Sequence, residues 1–79
     1  MIKSLTDLRK HLTDLVGHVT FDYNGYSCGI DPLFKEEYEM WYGNDFVVVK
    51  SIDEVFSKPF FNGKALNDIW DDVTNIDYW

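Results

Sequence analysis

The dipeptide Asn24-Gly25 constrains this chain more than any other feature, because both residues tolerate the positive φ that a two-residue type I′ hairpin turn requires. Folding the chain about it sets Tyr23 opposite Tyr26, Phe21 opposite Cys28 and Val19 opposite Ile30. All six are apolar or aromatic and share one face. The other face pairs Asp22 with Ser27, Thr20 with Gly29 and His18 with Asp31. Turn chemistry and alternation agree, which predicts a hairpin with one buried face. Asp31-Pro32 is expected to end its second strand, since proline has no N–H to give to a ladder.

A second hairpin is expected over Glu37–Tyr42 and Phe46–Lys50, around Gly43-Asn44-Asp45. Two registers are open. A Gly43-Asn44 loop pairs Trp41 with Phe46; an Asn44-Asp45 loop pairs Glu39 with Lys50, a favourable opposite-charge pair. In both, Tyr38, Met40 and Tyr42 share a face with Val47 and Val49, and Trp41 points the other way.

Three helices complete the reading. The first spans about Leu5–Val16, capped by Ser4 with Asp7 three residues on and ended by Gly17. Its apolar stripe is Leu5, Leu8, Leu12, Leu15 and Val16. Ser51-Ile52-Asp53-Glu54 opens a short second helix that stops near Lys58, because the residue before Pro59 disfavours helical geometry. After the aromatic turn Phe60-Phe61-Asn62-Gly63, a last helix covers about Lys64–Thr74 and buries Leu66, Ile69, Trp70 and Val73. Ile76-Asp77-Tyr78-Trp79 is left as a tail. The expected fold is α+β: a single two-layer domain over residues 1–79, with a four-stranded antiparallel sheet of two hairpins, helices on one face, and the order α-β-β-β-β-α-α.

With 79 residues the chain is small for a stable core, and its six Phe, five Tyr and three Trp compensate for that. Fourteen acidic residues against seven basic ones give a net charge of −7. Such a chain is not expected to bind nucleic acid or an anionic membrane directly, since both need clustered Lys and Arg. The single cysteine, Cys28, excludes an intrachain disulfide. Charges at Lys3, Asp7, Arg9 and Lys10 interrupt any apolar leader, and Phe46–Val49 is too short to span a bilayer, so the expected location is cytoplasmic.

No phosphate-binding loop, zinc spacing or calcium loop is present, so no cofactor and no metal are expected. The one catalytic arrangement to be assembled is His18 opposite Asp31 with Thr20 and Ser27 nearby, the logic of an activated nucleophile. Cross-strand pairs of this kind are ordinary surface partners, and Cys28 faces the core, where a thiol is inert. The expectation is a non-enzyme.

Two features point outward instead. Asp68, Asp71 and Asp72 share one face of the last helix, and no Lys or Arg follows Lys64. Like charges at that spacing cost about 0.2–0.5 kcal/mol per pair, and two of the three sit where the helix dipole disfavours anions. Trp41, Tyr78 and Trp79 are aromatics that one sheet face and short helices do not readily cover. These six residues make the expected docking surface of a small regulatory or binding module. The expected partner is another protein, basic in character, or a second copy forming a homodimer. The alternative is a DNA mimic that occupies the nucleic-acid site of an enzyme. A mimic needs carboxylates along one side with no lysine among them, whereas an aromatic docking surface fails when Trp41 is removed.

Overall fold

The Asn24-Gly25 turn forms as its sequence demands, with φ of +54° and +80°. It joins β1 (Val19–Tyr23) to β2 (Tyr26–Phe34) in the expected register, from Tyr23 opposite Tyr26 to Val19 opposite Ile30. A computed structural model of the chain describes residues 4–14, 17–34 and 37–78. The elements that follow are β3 (Glu37–Tyr42), β4 (Asp45–Val49), α2 (Ile52–Ser57), α3 (Leu66–Ile69) and β5 (Thr74–Tyr78). They are preceded by α1 (Leu5–Thr13), and a 3-10 turn over Trp70–Asp72 joins α3 to β5.

β3 and β4 settle into the first of the two registers, with Trp41 opposite Phe46 and Tyr42 opposite Asp45. Gly43 takes φ +60° while Asn44 stays out of the left-handed region, the pattern of a II′ turn with glycine first. Lys50 pairs with Glu37 rather than Glu39. The expected end of β2 at Asp31-Pro32 is corrected: the strand continues to Phe34, with Pro32 opposite Tyr38 and a bulge between Pro32 and Phe34. Tyr23 and Tyr26 flank the turn as a hydrogen-bonded pair, so every second residue from Tyr26 directs its backbone groups toward β1. Pro32 belongs to that set and lies past Ile30, the last residue that β1 reaches. Its missing N–H therefore costs no ladder bond.

The larger correction concerns the C-terminal segment. Among the described residues the sheet has five strands, not four, in the order β4-β3-β2-β1-β5, all neighbours antiparallel. Part of the expected tail is β5, which hydrogen-bonds along the free edge of β1, with Val19 opposite Tyr78 and Asp22 opposite Thr74. A bulge at Asn75 (φ +54°) re-aims the strand, and the Asn75 Nδ2 donates to Asp22 Oδ2 at 2.7 Å. The bulge lets Ile76 pack against the core while Thr74 and Asp77 stay exposed.

The last helix is correspondingly shorter than the expected Lys64–Thr74. Phe61 and Lys64 bridge across an Asn62-Gly63 turn, both left-handed, which keeps Lys64 out of the helix. Leu66, Ile69, Trp70 and Val73 are nonetheless all buried, as the periodicity predicts. α1 starts at the expected Ser4 cap, whose hydroxyl accepts from the Asp7 N–H at 3.1 Å. It ends at Thr13, with Asp14 closing it on the Lys10 and Leu12 carbonyls, ahead of the expected Val16. Thr13 and Asp14 are weak helix formers. The expected contributions of Leu15 and Val16 lie outside the described residues. α2 begins at Ser51, which accepts from the Glu54 N–H at 3.1 Å, and stops before Pro59 as expected.

One apolar cluster unites the helices with one face of the sheet. Leu8 and Leu12 of α1, Val55 and Phe56 of α2, and Leu66 and Ile69 of α3 meet Val19, Phe21, Cys28, Ile30 and Met40. Aromatic edges lock the helical layer down: Phe21 meets Trp70 edge-on at 5.4 Å, and Phe61 lies 5.8 Å from Phe21 and 6.3 Å from Tyr42. Arg9 ties α1 to α2 through Asp53, and its guanidinium lies 5.5 Å over the Phe56 ring. The result is a single compact α+β domain. Among the described residues no helix is long and apolar enough to cross a membrane.

Candidate binding surface

Because strand side chains alternate, burying Cys28, Ile30, Tyr38, Met40 and Val49 sends their neighbours to the opposite face. That outer face carries Thr20 and Asp22 from β1 and Ser27, Gly29 and Asp31 from β2. β3 adds Glu37, Glu39 and Trp41, and β4 adds Phe46 and Val48. No helix covers it among the described residues, since the buried residues of all three helices belong to the cluster on the inner face.

The centre of the outer face is a contact between Trp41 and Gly29, which stand opposite each other on β3 and β2. The indole lies over the glycine, so close that a Cβ added at Gly29 would stand 2.1 Å from the Trp41 ring. Gly29 is not among the left-handed glycines, so the ring and not the backbone conformation requires a residue without a side chain. Gly29 is buried as a consequence, and Trp41 is half-buried without any help from the helical layer. Beside it, Phe46 is 70 % exposed and Val48 41 %. The three apolar side chains adjoin: Phe46 is opposite Trp41, and Val48 is two residues along the same strand.

Carboxylates frame this apolar strip. Asp31 stands directly opposite Glu39, a like-charge pair that opposes sheet formation, and Glu39 in turn faces Val48. Glu37 holds Lys50, and Asp77 of β5 faces Thr20 at the far side. Asp31, Glu39 and Val48 were not among the expected contact residues. The alternation Glu37-Tyr38-Glu39-Met40-Trp41 was the available signal, since burying Tyr38 and Met40 puts both glutamates beside the tryptophan. An isolated glycine inside an apolar strand was the signal for the ring that covers it.

The five of the six expected contact residues that are described do not form one surface. Trp41 is on the outer face. Asp68, Asp71 and Asp72 are exposed on the helical side, separated from Trp41 by the thickness of the sheet. Tyr78 sits opposite Val19, so its ring turns to the inner side, where it meets His11 edge-on at 5.5 Å. Trp79 lies outside the described residues. Asp68 also caps its own helix. In the first turn of α3 its Oδ2 accepts from the Ala65 N–H at 3.2 Å, where the dipole favours an anion. Asp71 and Asp72 lie in the 3-10 turn and are exposed.

Thr20 and Ser27 of the catalytic arrangement take the positions expected of them in the first hairpin. His18 precedes β1 and is half-buried, while Thr20 faces Gly29 and Ser27 faces Asp22. Cys28 is buried beneath the sheet and its thiol donates to the Tyr26 carbonyl at 3.5 Å. Burial pushes that thiol up to about 11, with the Asp22 carboxylate adding to the effect. A group held neutral in this way is a poor nucleophile. Among the described residues no three His, Cys, Asp or Glu side chains come together to hold a metal ion. No protein-family model matches the chain, and neither a curated protein nor a solved structure matches it significantly.

Proposed function

We propose that this chain is a small non-catalytic binding module whose outer sheet face docks a cationic protein. The observation that carries the reading is the Trp41–Phe46–Val48 strip, apolar and open, bordered by the opposed carboxylates of Asp31 and Glu39. Large rings exposed beside carboxylates supply a desolvated anchor and a charged rim, the division of labour common to protein interfaces. A lysine or arginine placed between Asp31 and Glu39 relieves their mutual repulsion, and an arginine can stack on the indole. Asp71 and Asp72, on the helical side, serve as a second acidic contact for a partner that reaches around the sheet edge. The acidic balance of the chain as a whole steers such a partner toward it.

The test is capture of proteins from native lysate by the immobilised chain, run in parallel with Trp41→Ala and Glu39→Lys. A cationic protein retained by the wild type, lost with Trp41→Ala and weakened by Glu39→Lys, is the expected result. Binding should also fall as salt rises, because the rim contacts are screened. Capture that ignores both substitutions would remove the outer face from consideration. A nucleic-acid-binding enzyme retained equally by wild type and Trp41→Ala would favour polyanion mimicry, in which carboxylates alone do the binding.

A further inference from the structure

The two edges of the sheet are built differently. β5 is bulged at Asn75 and carries Asp77, both recognised ways of discouraging a further strand. β4 has neither. Its pairing with β3 runs unbroken from Tyr42 opposite Asp45 to Tyr38 opposite Val49, and its own sequence, Asp-Phe-Val-Val-Val, contains no proline, glycine or lysine. No described strand lies on its far side.

The hydrogen-bond phase of that open edge follows from the turn. Tyr42 and Asp45 flank a two-residue loop and so exchange hydrogen bonds. Asp45, Val47 and Val49 therefore direct their backbone groups to β3, and Phe46 and Val48 direct theirs outward. These are the same two residues whose side chains are exposed on the outer face.

We infer that β4 pairs antiparallel with β4 of a second copy about a two-fold axis through Val47, joining the two sheets into one. The register is self-complementary. Phe46 faces Val48 of the other copy and Val48 faces its Phe46, and each pair exchanges the backbone hydrogen bonds that are otherwise open. Side chains from both copies stay on matching faces, as a continuous sheet requires. On the outer face the strip Trp41–Phe46 of one copy continues into Val48 of the other, and the reciprocal strip lies alongside, within the diagonal reach of aromatic rings. Each exposed apolar residue of β4 thereby gains an apolar cross-strand neighbour, Phe46 beside Val48 and Val48 beside Phe46.

Charge does not prevent this. The two Glu39 side chains lie one strand behind each β4, so three inter-strand spacings, about 14 Å, separate them. That exceeds the screening length of about 8 Å at physiological salt. Area sets the strength. Five residues of strand run about 17 Å. With Phe46 and Val48 the shared strip is on the order of 400 Å² per protomer, about half of what a standard stable interface buries. The dimer is therefore weak and reversible, and its population depends on concentration.

This inference rests on the backbone edge of β4 and not on the cationic partner, and salt separates the two. Sedimentation equilibrium of the purified chain from about 10 to 500 µM, at about 0.05 M and 0.5 M salt, should show a monomer–dimer equilibrium. Raising salt should leave it unchanged or strengthen it, whereas binding of a cationic protein should weaken. Val48→Lys should abolish the dimer by placing an ammonium opposite Phe46. Val48→Pro should do the same, because it removes an outward N–H without costing a bond to β3. Phe34→Ser, at an exposed residue two strands away, should leave it intact. Circular dichroism checks that each variant is folded. A chain that stays monomeric throughout the range overturns the inference. So does a dimer that survives both Val48 substitutions, or one that dissociates as salt rises.

Discussion

Replacing Gly29 with alanine tests whether the outer face is organised by the ring lying on it. The new methyl group would sit 2.1 Å from Trp41 Cζ2, well inside contact distance, so the indole must lift away. A buried indole removes on the order of 150–250 Å² from water, and Trp41 is half-buried, so about 100 Å² is at stake. At about 25 cal/mol per Å² this is worth about 2.5 kcal/mol if the contact is lost entirely. Alanine restricts the unfolded chain and returns about 0.4–1 kcal/mol where the backbone accepts it, as it does here. The net expectation is a destabilisation of about 1–2 kcal/mol, or a melting temperature lower by about 4–16 °C for a domain of this size. Urea denaturation followed by circular dichroism measures it, and a double-mutant cycle assigns it. In a Trp41→Ala background the same Gly29→Ala change should be neutral or stabilising, giving a coupling of at least about 1 kcal/mol. If Gly29→Ala costs the same in both backgrounds, or stabilises the wild type, the glycine is not there to make room for the ring.

Two further outcomes are expected. Asp68→Asn should destabilise the domain by about 0.5–1 kcal/mol in thermal unfolding, because the charged acceptor for the Ala65 N–H is lost where the helix dipole favours an anion; an unchanged stability would leave Asp68 available purely as a surface contact. The Cys28 thiol, raised by burial from 9.0 to about 11, should react with iodoacetamide at pH 8 about 100-fold more slowly in the folded chain than in the urea-unfolded chain. The neutral thiol is the form the fold prefers, so its contribution to stability is complete below about pH 9 and is lost as pH rises through about 11. Equal alkylation rates in the two states would show that the sheet does not shield it.

The first hairpin was legible because two independent signals, the Asn24-Gly25 turn and the paired apolar residues around it, specify the same register. The second was not, because Gly43-Asn44-Asp45 admits two loops that bury the same side chains. Only the ladder chooses between them, since the pattern of Tyr38, Met40, Val47 and Val49 is satisfied either way. Pro32 misled for a related reason: a proline disrupts a ladder only on the side its nitrogen faces, and that side has no partner beyond Ile30. β5 escaped notice because Thr-Asn-Ile-Asp-Tyr is short, largely polar and bulged. What makes it a strand is the unfilled edge of β1, a tertiary circumstance. The binding surface was half visible. The outward turn of Trp41 followed from alternation, but its seat on Gly29 and the neighbourhood of Asp31 and Glu39 depend on pairing β2 with β3 across a bulge. Grouping Asp68, Asp71 and Asp72 with Trp41 joined residues that the sheet keeps on opposite sides.

The placement of β5 next to β1 also bears on how the domain is made. Four strands and the turns between them arise from neighbours in sequence, so they can assemble as they leave the ribosome. The edge of β1 must wait, because its second neighbour is not synthesised until residues 74–78, more than fifty positions later. Through that interval a nascent chain presents Val19–Tyr23 as a bare strand edge to every other polypeptide nearby. Chaperone dependence of this domain should accordingly track any delay in delivering its fifth strand.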